Sequence, residues 1–285
     1  MNVQQLSGNE EMDRLAGEFR YVITDMICRA GSGHLGGALS LVEIFISLYW
    51  RGIMSFDPEN PSWDGRDRLV LSKGHAGPVW YVALAYRGFF PREELCTLNC
   101  DGTNLPSHAD RLRTPGIDMT AGSLGQGLSA ACGMALAARH DGKPHKVFCI
   151  IGDGESDEGQ IWEAAMFAGH NKLDNLIAIC DYNKLQIDGF TDDVLTLEPL
   201  ADKWRAFNWD VLEMDGHDWD DILATLNKAK SMQGKPVMVI AHTIKARHCS
   251  AVENKPESHN IKINSAEDHA KYMASLKCRD YCLPY

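Results

Sequence analysis

Val147-Phe148-Cys149-Ile150-Ile151-Gly152-Asp153-Gly154-Glu155, read with Leu176-Ile177-Ala178-Ile179-Cys180-Asp181-Tyr182-Asn183, decides the reading of this chain. The first run has the length and β-branched content of a buried strand and stops abruptly at Gly-Asp-Gly. Asp153 is therefore expected at a strand's carboxyl end. The second run repeats the pattern and stops at Asp181 and Asn183, and the stretch between them, about Asp157 to Lys172, has helical character. Strand, helix and strand make a right-handed crossover whose two strands run parallel. Asp153 and Asn183 should then share one edge of one sheet.

Open α/β sheets bind ligands at that edge, and glycines on both sides of Asp153 allow a ligand to approach the backbone closely. Free N–H groups at the start of the following helix would suit a phosphate. The same loop, however, carries Asp153, Glu155, Asp157 and Glu158, which would repel a bare anion. A divalent cation resolves the conflict. A carboxylate, an amide oxygen and a nearby backbone carbonyl are hard oxygen ligands, and Mg²⁺ takes few protein ligands, completing its octahedron with phosphate oxygens and water. The residues thus read as a site for a Mg²⁺-bridged diphosphate. Gly-Asp-Gly alone would mark only a tight turn; its place after one buried strand, with Asn after the next, favours the site.

Working outward, Arg68 to Ser72, Val211 to Met214 and Val237 to Ala241 read as three further strands. Helices are expected over Glu11 to Ala30, Ala76 to Tyr86, Ala130 to Arg139, Leu200 to Phe207 and Asp218 to Ser231, with another beginning at Pro91. Gly31 to Gly37 reads as a flexible loop, and Ser40-Leu41-Val42-Glu43 as a capping box that opens a helix. Five strands alternating with helices give an α/β fold: a doubly wound, mainly parallel sheet with helices on both faces. Residues 1–10 read as a tail, 11–245 as the sheet domain, and 246–285 as an extension packing on the surface or on a partner.

His34, His75, His108 and His259 each follow Gly or Ser in loops. If those loops open on the edge that carries Asp153, they supply donors and proton carriers around an anionic cofactor and a hydroxylated substrate. His140, His145, His170 and His269 lie in helical or charged surroundings and read as surface residues.

Composition sets the frame. The chain has 285 residues, 45% hydrophobic and 24% charged, enough for a sizeable core. A formal net charge of −11 argues against nucleic acid or an anionic membrane as partner. There is no long apolar run and the first residues are polar, so a cytoplasmic address is expected. The 9 cysteines are scattered and lack a Cys-x-x-Cys pair, which suggests neither a disulfide framework nor a zinc site. Cys96 with Cys100, and Cys278 with Cys282, have helical spacing but read as reduced structural residues.

The Gly-Asp-Gly…Asn pattern resembles the thiamine diphosphate signature. Glu158-Gly159-Gln160-Ile161-Trp162-Glu163-Ala164-Ala165 and Asn183-Lys184-Leu185-Gln186-Ile187-Asp188-Gly189 resemble the transketolase family specifically, and the likeness runs from about Arg20 to His259. It implies transfer of a two-carbon ketol unit from a ketose to an aldose. It also implies thiamine diphosphate and Mg²⁺ as cofactors, the metal being held by Asp153, Asn183 and the carbonyl of Leu185. By the same likeness Gly154, Glu155 and His75 would lie at the diphosphate, and Gly122 and Leu124 at the rings. His34, His75, His108 and His259 would line the reacting centre, and Glu158 would join a carboxylate relay at a dimer interface.

In the family a glutamate from a second, pyrimidine-binding domain activates the cofactor, and no second α/β domain is evident here. The chain therefore resembles the amino-terminal subunit of a split transketolase. A separate carboxyl-terminal subunit would bring the glutamate, in an α2β2 assembly. A phosphorylated pentose or hexose is the default substrate. Two departures stand out: the family's Thr-x-Lys-Gly-Lys/Arg-Gly is Thr243-Ile244-Lys245-Ala246-Arg247-His248 here, lacking both glycines, and its Trp-His-Gly is Ser258-His259-Asn260. They leave room for a sulfonated or branched sugar. Alternatives are the α subunit of a 2-oxo acid dehydrogenase, which shares the metal motif but not Ser32-Gly33-His34, and a cofactor-binding scaffold without catalysis.

Overall fold

The computed structural model describes residues 8–187 and 189–277. In chain order, helix α1 (Asn9–Arg29) leads through the short strand β1 (Ser32–Gly33) to α2 (Leu35–Leu39) and α3 (Val42–Trp50). Strand β2 (Arg68–Leu71), α4 (Gly77–Tyr86), α5 (Gln126–His140), β3 (Val147–Gly152), α6 (Gly159–His170) and β4 (Leu176–Tyr182) follow. The second half holds α7 (Thr191–Val194), α8 (Leu200–Ala206), β5 (Asp210–Asp215), α9 (Trp219–Ser231), β6 (Val237–His242), β7 (Ile261–Lys262) and α10 (Ala266–Ser275).

The five strands anticipated from the sequence form one sheet in the order β2-β3-β4-β6-β5, and every pairing is parallel. Every residue of β3 and β4 is buried, as expected where helices cover both faces. The alternation of side chains sorts them into two cores. Phe148, Ile150, Ile177, Ile179, Val237 and Val239 face α1, α3, α4 and α9, whereas Val147, Cys149, Ile151, Leu176, Ala178 and Cys180 face α5, α6 and α8. Parallel pairing also puts all five carboxyl ends on one edge, with Gly152 opposite Asp181 and Tyr182 opposite His242.

Several local expectations are corrected. Gly31 to Gly37 is not a loose loop: Ser32 and Gly33 pair antiparallel with Lys262 and Ile261, and α2 begins directly after His34. The capping box at Ser40 does not form, because the serine hydroxyl donates to Gly37 O and to Asp181 Oδ2 (2.6 Å). After Pro91 the chain makes a 3-10 turn, Arg92–Thr97, in place of an α-helix. His145 is buried rather than on the surface, and His269 is drawn to Asp25 (2.9 Å).

Residues 246–277 contribute Ala246, Cys249, Val252, Ile261 and Leu276 to the core on the α1 side of the sheet. Cys278 and Cys282 lie outside the described residues, and Cys96 and Cys100 are both exposed and free. None of the described helices is long and apolar enough to cross a membrane.

Candidate active site

The polar edge of the sheet closes around one cavity, lined among others by Lys73, His75, Leu124, Asp153, Gly154, Asn183, Leu185, Lys245 and His259. Asp153 follows β3 and Asn183 follows β4, and because those strands are neighbours the two side chains meet at the same place. Asp153 is 3% exposed and accepts from two backbone amides: Gly154 N donates at 2.7 Å, and Lys184 N donates closely to the other oxygen. Burial first, then the nearby Asp181, raises its carboxyl to about 6. A buried acid in this position is stabilised as an anion by any cation placed beside it. Asn183 is likewise buried, its Oδ1 accepting from Leu185 N (3.1 Å), and the Leu185 carbonyl accepts from Lys245 Nζ (2.8 Å). A carbonyl and an amide oxygen each keep a second lone pair.

Gly154 lies so near the next loop that a Cβ there would come 2.7 Å from Gln186 Cβ. Glu155 also lines the cavity, but its oxygens are occupied: Ser72 Oγ and Gly125 N donate to one and Gly152 N to the other. It braces the loop. Leu124 lies on the cavity wall, and Gly122 is exposed close to Gly74. Glu158 is exposed at the head of α6 and is not part of the lining.

The four histidines come together. The β1–β7 ladder sets Gly33 opposite Ile261, and so brings the loop carrying His34 beside the one carrying His259. Ring centroids lie 5.2 Å apart for His34 and His75, 5.2 Å for His34 and His259, 5.1 Å for His75 and His259, and 5.8 Å for His34 and His108. Burial is the main reason all four are harder to protonate than usual. His34 is lowered to about 4, with His108 and Lys245 adding repulsion, and His259 to about 3, with Lys245 and His34 adding. His75 falls well below the usual range through burial and Lys73, and His108 falls through burial. At neutral pH the cluster is uncharged, so each ring offers one donor and one acceptor.

Two lysines were not anticipated from the sequence. Lys73 is buried and donates to Asp181, which also accepts from Ser40 and Thr243. Against the opposing effect of burial, Lys73 keeps Asp181 below the ordinary carboxylate range. Lys245 is 3% exposed, 3.4 Å from His259 Nδ1, and burial followed by Lys73 lowers it to about 8. Both lysines belong to conspicuous loops, Lys73-Gly74-His75 and Thr243 to His248, yet nothing local shows that they point inward. Lys73, Lys245, His75 and His259 line the cavity with Asp153, whereas His34 and His108 are not part of the lining: His34 packs against both of the lining rings and His108 against His34. The lining donors would suit an anion. Among the described residues no group of three or more His, Cys, Asp or Glu side chains could hold a metal ion, so any metal here would rest on a mixed oxygen set.

Known proteins share this chain's sequence pattern and fold. The family model for the thiamine diphosphate-binding domain of transketolase matches residues 12–275. The 6-deoxy-6-sulfo-D-fructose transketolase subunit SqwG of Clostridium sp. (strain MSTE9) is 55% identical over 263 residues, 92% of this chain and 94% of that protein. An apulose-4-phosphate transketolase subunit of Phocaeicola vulgatus is 41% identical over 257 residues, 90% of each. Transketolase from Leishmania mexicana superposes with a TM-score of 0.86 at 30% identity, covering 95% of this chain and 41% of the other. This chain thus spans less than half the length of that solved transketolase. It belongs to the transketolase family, as the thiamine diphosphate-binding domain.

Proposed function

We propose that this chain is the cofactor-binding subunit of a two-subunit, Mg²⁺-dependent transketolase. The observation that carries the reading is one cavity in which Asp153, Asn183 and Leu185 meet Lys245, His75 and His259, with His34 packed against both of those rings and His108 against His34. The residues fit the metal: a buried acid among backbone amides, an amide oxygen and a carbonyl are the hard, sparse ligand set that Mg²⁺ accepts beside a diphosphate. Asp153, Asn183 and Leu185 O would hold the ion, with Gly154 and Lys245 toward the diphosphate.

When bound, thiamine diphosphate supplies the electron sink for carbanion chemistry. The chain's own work is to orient and to handle protons. Uncharged His34, His75 and His259 can accept a proton from, or donate a hydrogen bond to, sugar hydroxyls, and His108 extends the row outward. Leu124 on the cavity wall gives an apolar surface for a ring.

The cavity holds about 110 Å³, well under the roughly 300 Å³ at which self-sufficient ligand pockets begin. A cavity this small supports a site completed by a second surface. We assign that surface to a separate carboxyl-terminal subunit bearing the activating glutamate, in an assembly of two copies of each. The SqwG and apulose-4-phosphate relatives are themselves named as subunits. Exposed Glu158, at the head of the helix that also exposes Met166 and Phe167, is available for contact between the copies. The free cysteines suit a cytoplasmic enzyme.

For substrate we favour a ketose with a terminal anion, a sulfonate ahead of a phosphate. The relative named for 6-deoxy-6-sulfo-D-fructose is 55% identical, against 41% for the one named for apulose 4-phosphate. The test is a ketol-transfer assay with 6-deoxy-6-sulfofructose, fructose 6-phosphate and apulose 4-phosphate as donors, using the chain alone and with its partner. The pair should turn over and prefer the sulfonate, and the lone chain should be silent. Turnover by the lone chain, or none by the pair, would refute the assignment.

A further inference from the structure

Just beyond β6 the chain makes a tight excursion, Ile244-Lys245-Ala246-Arg247-His248. Ala246 and His248 have φ of 56° and 67°, a left-handed backbone that residues with a side chain seldom adopt. They stand where the family pattern has glycine. Six contacts to backbone groups tie the excursion to the rest of the chain; two are at His248, whose N donates to Glu253 Oε1 (2.8 Å) and whose O accepts from Lys277 N (3.0 Å). Ile244 N donates to His217 Nε2 (2.8 Å), Asn254 N donates to Lys245 O (2.9 Å), Ala246 N donates to Gly36 O (3.0 Å), and Arg20 Nε donates to Arg247 O (3.2 Å).

Three of the six come from side chains, and two of these, Arg20 and His217, converge on Glu43. Arg20 donates to Glu43 Oε1, and His217 Nδ1 lies 3.2 Å from Glu43 Oε2. The roles are fixed by the geometry. His217 Nε2 accepts from a main-chain amide, so Nδ1 carries the hydrogen and donates to the carboxylate. Glu43 therefore orients the ring, as outer carboxylates orient working histidines elsewhere. The three side chains are nearly inaccessible, at 4% for Arg20, 6% for Glu43 and 9% for His217, and none of them lines the cavity. Such a group is costly to bury for stability alone, which points to a demand for one conformation.

We propose that Arg20, Glu43 and His217 are positioning residues for the active site: together they hold residues 244–248 in their left-handed path and keep the Lys245 ammonium directed at Leu185 O and His259. The proposal rests on the reading that Lys245 meets a diphosphate. The link runs from α1, α3 and the turn after β5 to one lysine in the cavity, and Gly36 completes it. A Cβ on Gly36 would come 2.9 Å from Lys245 Cγ, so the lysine stem is confined from the other side.

The test compares His217→Leu, which removes both ring contacts, with His217→Gln, which keeps an acceptor near the Nε2 position. In the full-length, cofactor-free chain, hydrogen exchange over residues 242–249 should quicken by about tenfold or more in His217→Leu and return toward the parent in His217→Gln. In the assembled pair, titration with thiamine diphosphate and Mg²⁺ should show about tenfold weaker binding for His217→Leu. In a Lys245→Ala background the same change should weaken binding no further, because the effect passes through the lysine. Unchanged exchange overturns the proposal, and so does an equal loss of affinity in both backgrounds. If His217→Leu does not fold, Glu43→Gln is read in the same way. Should the parent pair bind no Mg²⁺–thiamine diphosphate, the proposed function falls, while exchange still decides whether the segment is gripped.

Discussion

The loops that follow β3 and β4 and the excursion that follows β6 lie on the same sheet edge and face the same cavity, but they reach it by different means. At Asp153 and Asn183 local sequence suffices: a buried strand stops, a glycine or a turn follows, and strand pairing fixes where the side chain lands. At Lys245 local sequence works against the outcome. Ala246 and His248 occupy glycine-like backbone, and the shape is set by contacts from α1, α3 and the turn after β5. The first region is specified by its own residues; the second is imposed by the rest of the fold.

The largest expected effect falls on the first region. Asp153→Ala removes the one carboxylate of the proposed ligand set, and metal-dependent cofactor affinity of the assembled pair should drop by more than about 100-fold, beyond the loss typical of outer-shell changes. A loss under tenfold by calorimetry would mean that the acid is not a ligand. Next comes Lys245→Ala. A charge-assisted hydrogen bond contributes about 1.5–3 kcal/mol, so affinity for the diphosphate should fall by roughly 10- to 150-fold. An unchanged affinity would separate the excursion from the site altogether.

A smaller effect concerns pH. Burial, with help from neighbouring cations and rings, keeps His34 at about 4 and His259 at about 3 in the folded chain. Unfolded histidine takes up its proton near 6.5, so the stability these rings contribute is complete above about pH 6.5 and lost as pH falls toward 4. Asp153, raised to about 6, acts in the opposite sense, disfavouring the folded state as pH rises from about 3.8 through 6. Burial lowers His75, His108, His145 and His248 as well, so the lowered histidines outnumber the raised acids Asp153 and Glu155, and thermal melts of the cofactor-free chain should shift to lower temperature between about pH 6.5 and 4.5. His259→Gln should flatten that slope; an equally steep slope in the variant would remove His259 from the account.

The smallest effect is Ala246→Gly. Relief of a left-handed alanine is worth roughly 1–2 kcal/mol, and the added freedom of glycine in the unfolded chain costs about 0.5–1 kcal/mol. Stability should therefore rise by no more than about 1.5 kcal/mol, or a few degrees in Tm. A large loss would show that the alanine methyl, fully buried in the core, matters more than the backbone path.

The same contrast explains what could be read from the chain beforehand. Strands β3 and β4 were legible because unbroken apolar runs ending at Gly, Asp or Asn have few other uses; β2, β5 and β6 were read from shorter runs, β5 being interrupted by Glu213 and β6 ending at His242. The four histidines were legible as loop residues, though only the β1–β7 ladder and the parallel edge show that they converge. Ser40 and Glu43 misled: their spacing matches a capping box, yet Ser40 donates to Asp181, and Glu43 is taken by Arg20 and His217 from distant parts of the chain. His217 stands beside a glycine, in a context like that of the clustered histidines, and its role cannot be seen without the fold. Lys73 and Lys245 follow the same rule, since burial of a lysine depends on partners that no local pattern reveals.

The central claim is that Asp153, Asn183 and Leu185 O present one cation to a diphosphate. It is tested most directly by titrating thiamine diphosphate into the assembled pair with Mg²⁺ and then with the metal chelated. Saturable binding that weakens by at least about 100-fold without Mg²⁺ is the predicted result. Equal binding in both conditions would contradict it.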